Sequence, residues 1–151
     1  MADFMNILSK PADAIEKPKP TPAGTYTCVC VGLFELKDLK TKNGVAKKLH
    51  FKLKPLAAGP DVDQQQLIEA GGLGGYFPEF QVYLGVTEDD ADKNMHRAKE
   101  FAENCGVATS GLSVRAMLEA VQNQQVQVQI GHRPSDDGSM MYAEVKRTFK
   151  I

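Results

Sequence analysis

No apolar run in this 151-residue chain approaches the roughly 18 residues that a membrane-crossing helix needs. Its N-terminus has neither the basic flank nor the continuous apolar stretch of a secretion signal, so the expected location is the cytoplasm, with no membrane partner. Cysteine is scarce: Cys28, Cys30 and Cys105 make an odd count of three, which fits reduced thiols better than a disulfide framework. Cys28 and Cys30 share a strand face with Tyr26, where small core residues are wanted. Joining them with Cys105 and a histidine as a zinc site would need a strand-borne C-x-C and a distant third cysteine, which is not a standard ligand spacing.

Catalytic pairings are missing as well. The three histidines, His50, His96 and His132, fall on separate predicted elements, and no Ser/His/Asp or Cys/His arrangement has a familiar spacing. A metal-dependent nuclease centre at Asp136-Asp137 would need further carboxylates that no motif supplies. Gly71-Gly72-Leu73-Gly74-Gly75 lacks the Lys-Ser/Thr ending of a phosphate loop and precedes a strand, so it reads as a turn. The expectation is a protein without catalytic residues, cofactor or resident metal.

What is present is placed charge. The formal net charge is −1, yet seven lysines lie between Glu35 and Lys54 against only Glu35 and Asp38, a local excess of five. Thr25 to Leu36 alternates as a first strand. Lys37 to Lys42 forms a basic connection closed by Asn43-Gly44, and Val45 to Lys54 is a second strand. In that second strand Leu49, Phe51 and Leu53 fall on one face, and Lys48, His50, Lys52 and Lys54 on the other.

Residues 1–21 stand apart as an arm. Phe4, Met5, Ile7 and Leu8 suit one short amphipathic turn, whereas Pro11, Pro18, Pro20 and Pro22 favour extended backbone. The domain proper is expected over 22–151. A short helix is predicted over Asp61 to Ala70, and a third strand over Tyr76 to Leu84, with Gln81 and Tyr83 facing away from the core. A long helix follows, capped by Thr87 and carrying the stripe Ala91, Met95, Ala98, Ala102, Cys105 up to Gly106, with His96 and Arg97 on its solvated face. Its acidic start, Glu88 to Asp92, complements the helix dipole. A second helix is predicted from about Leu112, capped by Ser110 or Ser113. The strand Val126, Val128, Ile130 and a turn at Pro134 to Gly138 then lead into a last strand. There Met141, Ala143, Val145 and Phe149 alternate with Tyr142, Glu144, Lys146 and Lys150, and Arg147 interrupts the apolar face.

That order predicts a mainly β, α+β domain: a five-stranded OB-fold-like barrel with a helical insertion between strands 3 and 4. Such barrels hold nucleic acid across their second and third strands, where cations follow the backbone and aromatic faces stack on bases. The nucleic-acid-binding candidates are Lys37, Lys40, Lys42, Lys47, Lys48, His50, Lys52, Lys54, Tyr83, Tyr142 and Lys146, with Tyr26, Phe34 and Tyr76 as further stacking candidates.

The stretch Lys19-Pro20-Thr21-Pro22-Ala23-Gly24-Thr25-Tyr26, the Lys-Asn-Gly connection and Leu49-His50-Phe51-Lys52-Leu53 resemble the opening of a group of small phage-encoded proteins. Arg97-Ala98-Lys99-Glu100-Phe101, Cys105-Gly106-Val107, Val126-Gln127-Val128 and His132-Arg133 extend the likeness over most of residues 19–150. The group looks like OB-fold single-stranded-DNA-binding proteins. The resemblance implies a non-catalytic binder of single-stranded DNA, with RNA left open, acting in phage replication or recombination inside the host cytoplasm. Replication or recombination proteins would be its partners. Bacterial-type binders of this kind commonly recruit partners through an acidic tail, whereas this sequence closes on the basic strand Glu144 to Ile151; recruitment or homo-oligomer formation is expected through the arm instead. The competing expectation is a protein-interaction or virion structural module with the same frame and no nucleic-acid ligand.

Overall fold

The computed structural model describes residues 4–14 and 19–151. Among these residues seven strands form two antiparallel sheets, and four α-helices accompany them. The strands are β1 (Gly24–Cys30), β2 (Glu35–Thr41), β3 (Gly44–Phe51), β4 (Leu53–Ala58), β5 (Phe80–Gly85), β6 (Gln125–Pro134) and β7 (Met141–Phe149). The helices are α1 (Phe4–Leu8), α2 (Gln64–Glu69), α3 (Glu88–Asn104) and α4 (Val114–Ala120). One sheet runs β4-β1-β6-β7 and the other β2-β3-β5. No strand ladder joins the two among the described residues: the expected mainly β, α+β class holds, with seven strands in two sheets where five were expected and no closed barrel.

The extra strands come from two breaks. The expected strand from Thr25 to Leu36 ends at Cys30, and the chain resumes as β2 in the other sheet at Glu35. The expected strand from Val45 to Lys54 changes sheets at Lys52, between β3 and β4. Lys37 to Lys42, expected as a loop, is mostly strand: β2 pairs with β3 from Glu35↔His50 to Thr41↔Gly44. The hairpin closes through Lys42 and Asn43, and Gly44 takes the positive φ of 128° that a side chain would strain.

Alternation survives the breaks. Leu49, Phe51, Leu53, Val126, Val128 and Ile130 are all buried, and the α3 residues Ala98, Phe101 and Ala102 pack against them. Thr87 Oγ1 accepts from the Asp90 amide at 3.1 Å, which starts α3 where the sequence predicts. Asp63, not Asp61, caps α2 through the Gln66 amide at 3.0 Å; Asp61 instead accepts from the Thr25 amide and hydroxyl. Ser113 caps α4 by accepting from the Ala116 amide.

At the centre Phe80 and Phe101 stack with centroids 4.4 Å apart, and Phe51 lies 4.8 Å from Phe101 and 6.0 Å from Phe80. This trio fastens α3 onto the β3–β5 sheet. Phe34 packs on its rim 6.5 Å from Phe51, and Tyr26 is buried with its hydroxyl donating to the Pro22 carbonyl. Both are core and boundary residues and are withdrawn as stacking candidates.

The last strand changes phase. In the β6–β7 register Arg147 lies opposite Gln129 and Val145 opposite Ile130, which leaves Lys146 as the extra residue of a bulge. Beyond it Thr148 sits opposite the buried Val128, while Phe149 joins Arg147 on the exposed face. The expectation that Phe149 belongs to the core face is therefore corrected, and the bulge accounts for the basic interruption.

Two expectations follow from this packing. Replacing Phe101 with Ala removes the centre of the aromatic trio and should cost about 3–5 kcal/mol in denaturant-unfolding free energy. Burial pushes the Cys28 and Cys105 thiols up to about 12 and the Cys30 thiol up to about 11. The thiolate is the reactive form, so a disulfide reagent at pH 8 should find no fast-reacting thiol in the folded protein and three after unfolding.

Candidate nucleic-acid interface

The two sheets approach each other along β5 and β7, and among the described residues each of these strands is paired on one edge only. The seam is an open groove of about 370 Å³. Tyr83 and Gln81 reach it from β5, Lys48 from β3, and Tyr142 and Glu144 from β7. Tyr76 and Glu79 enter from the segment before β5, Arg97 from α3 and Arg133 from the end of β6. Three of the four tyrosines in the sequence therefore line one groove. They are solvent-accessible, with Tyr76 80% exposed and Tyr83 and Tyr142 each 45% exposed.

Strand register makes part of this assembly. Lys48 sits directly opposite Tyr83, and His50 opposite Gln81. Arg133 sits opposite Tyr142, because the turn from Ser135 to Met140 fixes that hairpin. Inside the turn Asp137 accepts from the Ser135 hydroxyl and from the amide and hydroxyl of Ser139, bonds that hold its carboxyl at about 2.

Tyr76 lies outside regular structure, ahead of the β5 start at Phe80, and is positioned from a distance. Thr21, only 5% exposed, donates its hydroxyl to the Tyr76 carbonyl at 2.8 Å. His132 Nε2 donates to the Thr21 carbonyl at 2.7 Å. The end of the arm thus straps the Tyr76 segment to β6. Further out, Ile7 and Leu8 are exposed, whereas Pro18 and residues 1–3 of the predicted arm lie outside the described residues.

The sequence-derived candidates divide by place. Lys48, Tyr83 and Tyr142 share the groove, and His50 adjoins it with Nδ1 3.2 Å from a Glu79 carboxylate oxygen. Lys37 pairs in register with Lys48, so those two share a face. Lys37 lies 3.3 Å from Glu35 and Lys52 3.6 Å from it, and the hydrogen bond and charge of Lys37 hold the Glu35 carboxyl below the usual range. Alternation turns Lys40 and Lys47 to the opposite face, where Lys47 pairs with Asp38. Lys42 is in the hairpin turn, and Lys54 is in β4 opposite Val29, in the other sheet. Lys146 lines a neighbouring cleft and contacts Glu144. The single ladder of Lys48, His50, Lys52 and Lys54 is thus divided by the break at Lys52.

Arg97 and Arg133 are site residues that the candidate set omits. Arg133 is legible in principle, since hairpin pairing puts it beside Tyr142. Arg97 is not, because nothing in a helical periodicity tells which strand edge its solvated face overlooks. Its guanidinium carbon lies 5.2 Å from the Phe80 ring centroid, which props it at the groove's end. Arg133 lies 3.7 Å from Glu144, an exposed pair of little strength that an incoming anion can displace. Lys48 and Arg97 make no ion pair among the described residues. Among the described residues no group of three His, Cys, Asp or Glu gathers as a metal site.

Chemically, the groove offers three phenol rings for flat, apolar faces and three cations for anionic oxygens. Removing the strap should loosen one of those rings. Thr21→Val keeps the side-chain shape but loses the hydroxyl, so amide exchange over residues 71–79 should quicken, at a stability cost of about 1 kcal/mol. Unchanged exchange there would remove Thr21 from the positioning of Tyr76. Set against known proteins, no protein-family model matches this chain, and no curated protein matches it significantly.

Proposed function

We propose that the chain is a non-catalytic binder of single-stranded nucleic acid, DNA foremost, and that the β5–β7 groove is where bases stack. The observation that carries this reading is the gathering of Tyr76, Tyr83 and Tyr142 with Lys48, Arg97 and Arg133 along one open seam. Base stacking on aromatic side chains and cations along a phosphate backbone are the two requirements of such binding, and duplex bases offer no free faces to the tyrosines.

Topology supports an OB-like frame for it. Taking β1 with β2 as one bent strand, and β3 with β4 as another, gives the order strand, strand, strand, helices, strand, strand, with β1 antiparallel to both β4 and β6. In that frame the groove occupies the seam where a closed barrel would join its ends. A role in phage DNA replication or recombination fits the resemblance of the Lys19 to Tyr26 and Leu49 to Leu53 stretches. Contacts to partner proteins through the arm belong to the same reading.

The test is fluorescence anisotropy with a labelled oligo-dT of about 20 nucleotides and the matched duplex at several salt concentrations. Preference for the single strand is expected, with log affinity falling linearly as log salt rises. Tyrosine emission should fall on binding, since the chain has no tryptophan and three of its four tyrosines line the groove. Tyr83→Ala and Tyr142→Ala should each weaken binding by about 1–3 kcal/mol, roughly 5- to 150-fold. Unchanged affinity in both variants would reject the groove. No binding at low salt would favour an interaction module, with the exposed Leu36, Leu39 and Val45 of the β2–β3 hairpin as its surface.

A further inference from the structure

We propose that a bound strand does not end in the tyrosine groove but runs on past Arg97 into a second cleft, where cations hold its phosphates. This rests on the single-strand reading above. The second cleft, about 650 Å³, lies between α3 and the C-terminal half of β7. Arg97 lines both the groove and the cleft, so the two are continuous at that side chain.

The chemistry changes along this path. The cleft holds no tyrosine, with Phe149 as its exposed aromatic, and its lining carries Arg97, Lys146, Arg147 and Lys150 against Glu100 as the one carboxylate. That local excess of positive charge sits on a chain whose total is −1. Lys146 is partly engaged by Glu144, whereas Arg147 and Lys150 are exposed and make no ion pair among the described residues. Such cations bind phosphate oxygens and release condensed counterions, which is a salt-dependent and sequence-independent contribution. The acids from Glu88 to Asp92 do not line the cleft. They occupy the first turns of α3, and at 1.5 Å per residue Asp92 is about 7.5 Å of helix from Arg97, the nearest cation of the cleft.

The bulge in β7 builds this half of the path. By adding Lys146 to the strand it turns Arg147 off the core face, and it leaves three cations within five residues at the strand's end. The groove thus supplies the three tyrosine rings and the cleft supplies mainly charge. A short oligonucleotide satisfies the first and a longer one uses both.

The experiment compares dT4 with dT20 on the full chain, using wild type, Arg147→Ala/Lys150→Ala, and the control pair Lys93→Ala/Arg115→Ala, which removes two charges away from the cleft. For dT20 the cleft variant should lose roughly tenfold in affinity at low salt. Its salt slope should fall by about 1.4, since each phosphate contact on a single strand contributes about 0.7. Its affinity for dT4 and the tyrosine quenching at saturation should match wild type, and the control pair should leave all of these unchanged. An unaltered dT20 slope, an equal loss on dT4, or the same loss from the control pair overturns the continuation while leaving the groove in place. Absence of tyrosine quenching by dT20 in wild type overturns the single-strand reading itself and the continuation with it.

Discussion

The stacking of Phe101 on Phe80 is the contact on which the arrangement of the surface depends. It presses α3 against β5 from the core side and so decides where the solvated face of the helix emerges. Arg97 lies over the Phe80 ring, at the junction of the tyrosine groove and the α3–β7 cleft. Were the helix shifted by one turn, about 5.4 Å, the cation at that junction would belong to another residue. A buried aromatic pair thereby sets the position of an exposed charge. Core packing of this kind is stiff, because interiors are as dense as organic crystals and admit few alternative arrangements.

A second constraint is the division of charge. The chain is almost neutral, and several cations are matched locally: Lys47 with Asp38, Lys37 and Lys52 around Glu35, Lys146 with Glu144. Exposed pairs of this sort add little stability, but they cancel the field that the lysines would otherwise project. Among the described residues, no ion pair engages Lys48 and Arg97 in the groove, Arg147 and Lys150 in the cleft, or Lys40, Lys42 and Lys54. Counting lysines along the sequence therefore overstates the free charge between Glu35 and Lys54, where Lys37, Lys47 and Lys52 face carboxylates.

Much of the local structure was legible in the residues. The alternation of Leu49, Phe51 and Leu53 and of Val126, Val128 and Ile130, the α3 stripe, and the Thr87 cap each arise from interactions within one element or its nearest neighbours. What was not legible is where an element bends. Nothing in Leu49-His50-Phe51-Lys52-Leu53 interrupts the period of two, yet the strand leaves one sheet at Lys52 and enters the other, because each sheet must twist to cover the same core. The groove was visible only in fragments for a related reason. Tyr76, Tyr83 and Tyr142 stood out singly, while the strap that holds Tyr76 comes from Thr21, 55 positions away, and Arg97 joins the groove over Phe80, 17 positions away, links that no short-range pattern encodes.

The bulge at Lys146 joins these points. One added residue in β7 explains why Arg147 breaks the apolar alternation, why Phe149 is exposed, and why the end of the strand is basic on a surface that faces α3. Space for that residue comes from the neighbouring strand. A Cβ at Gly131 would lie 2.7 Å from Lys146 Cγ and Cε, so any side chain there would push the lysine stem away. A glycine in β6 and an extra residue in β7 thus act as one feature, which turns a strand that packs into the core at Val145 into a charged edge two residues later, at Arg147. The open seam beside it follows from the same geometry: a bulged, twisted edge is poorly matched to pair with β5, and β5 and β7 remain apart with side chains of both exposed between them.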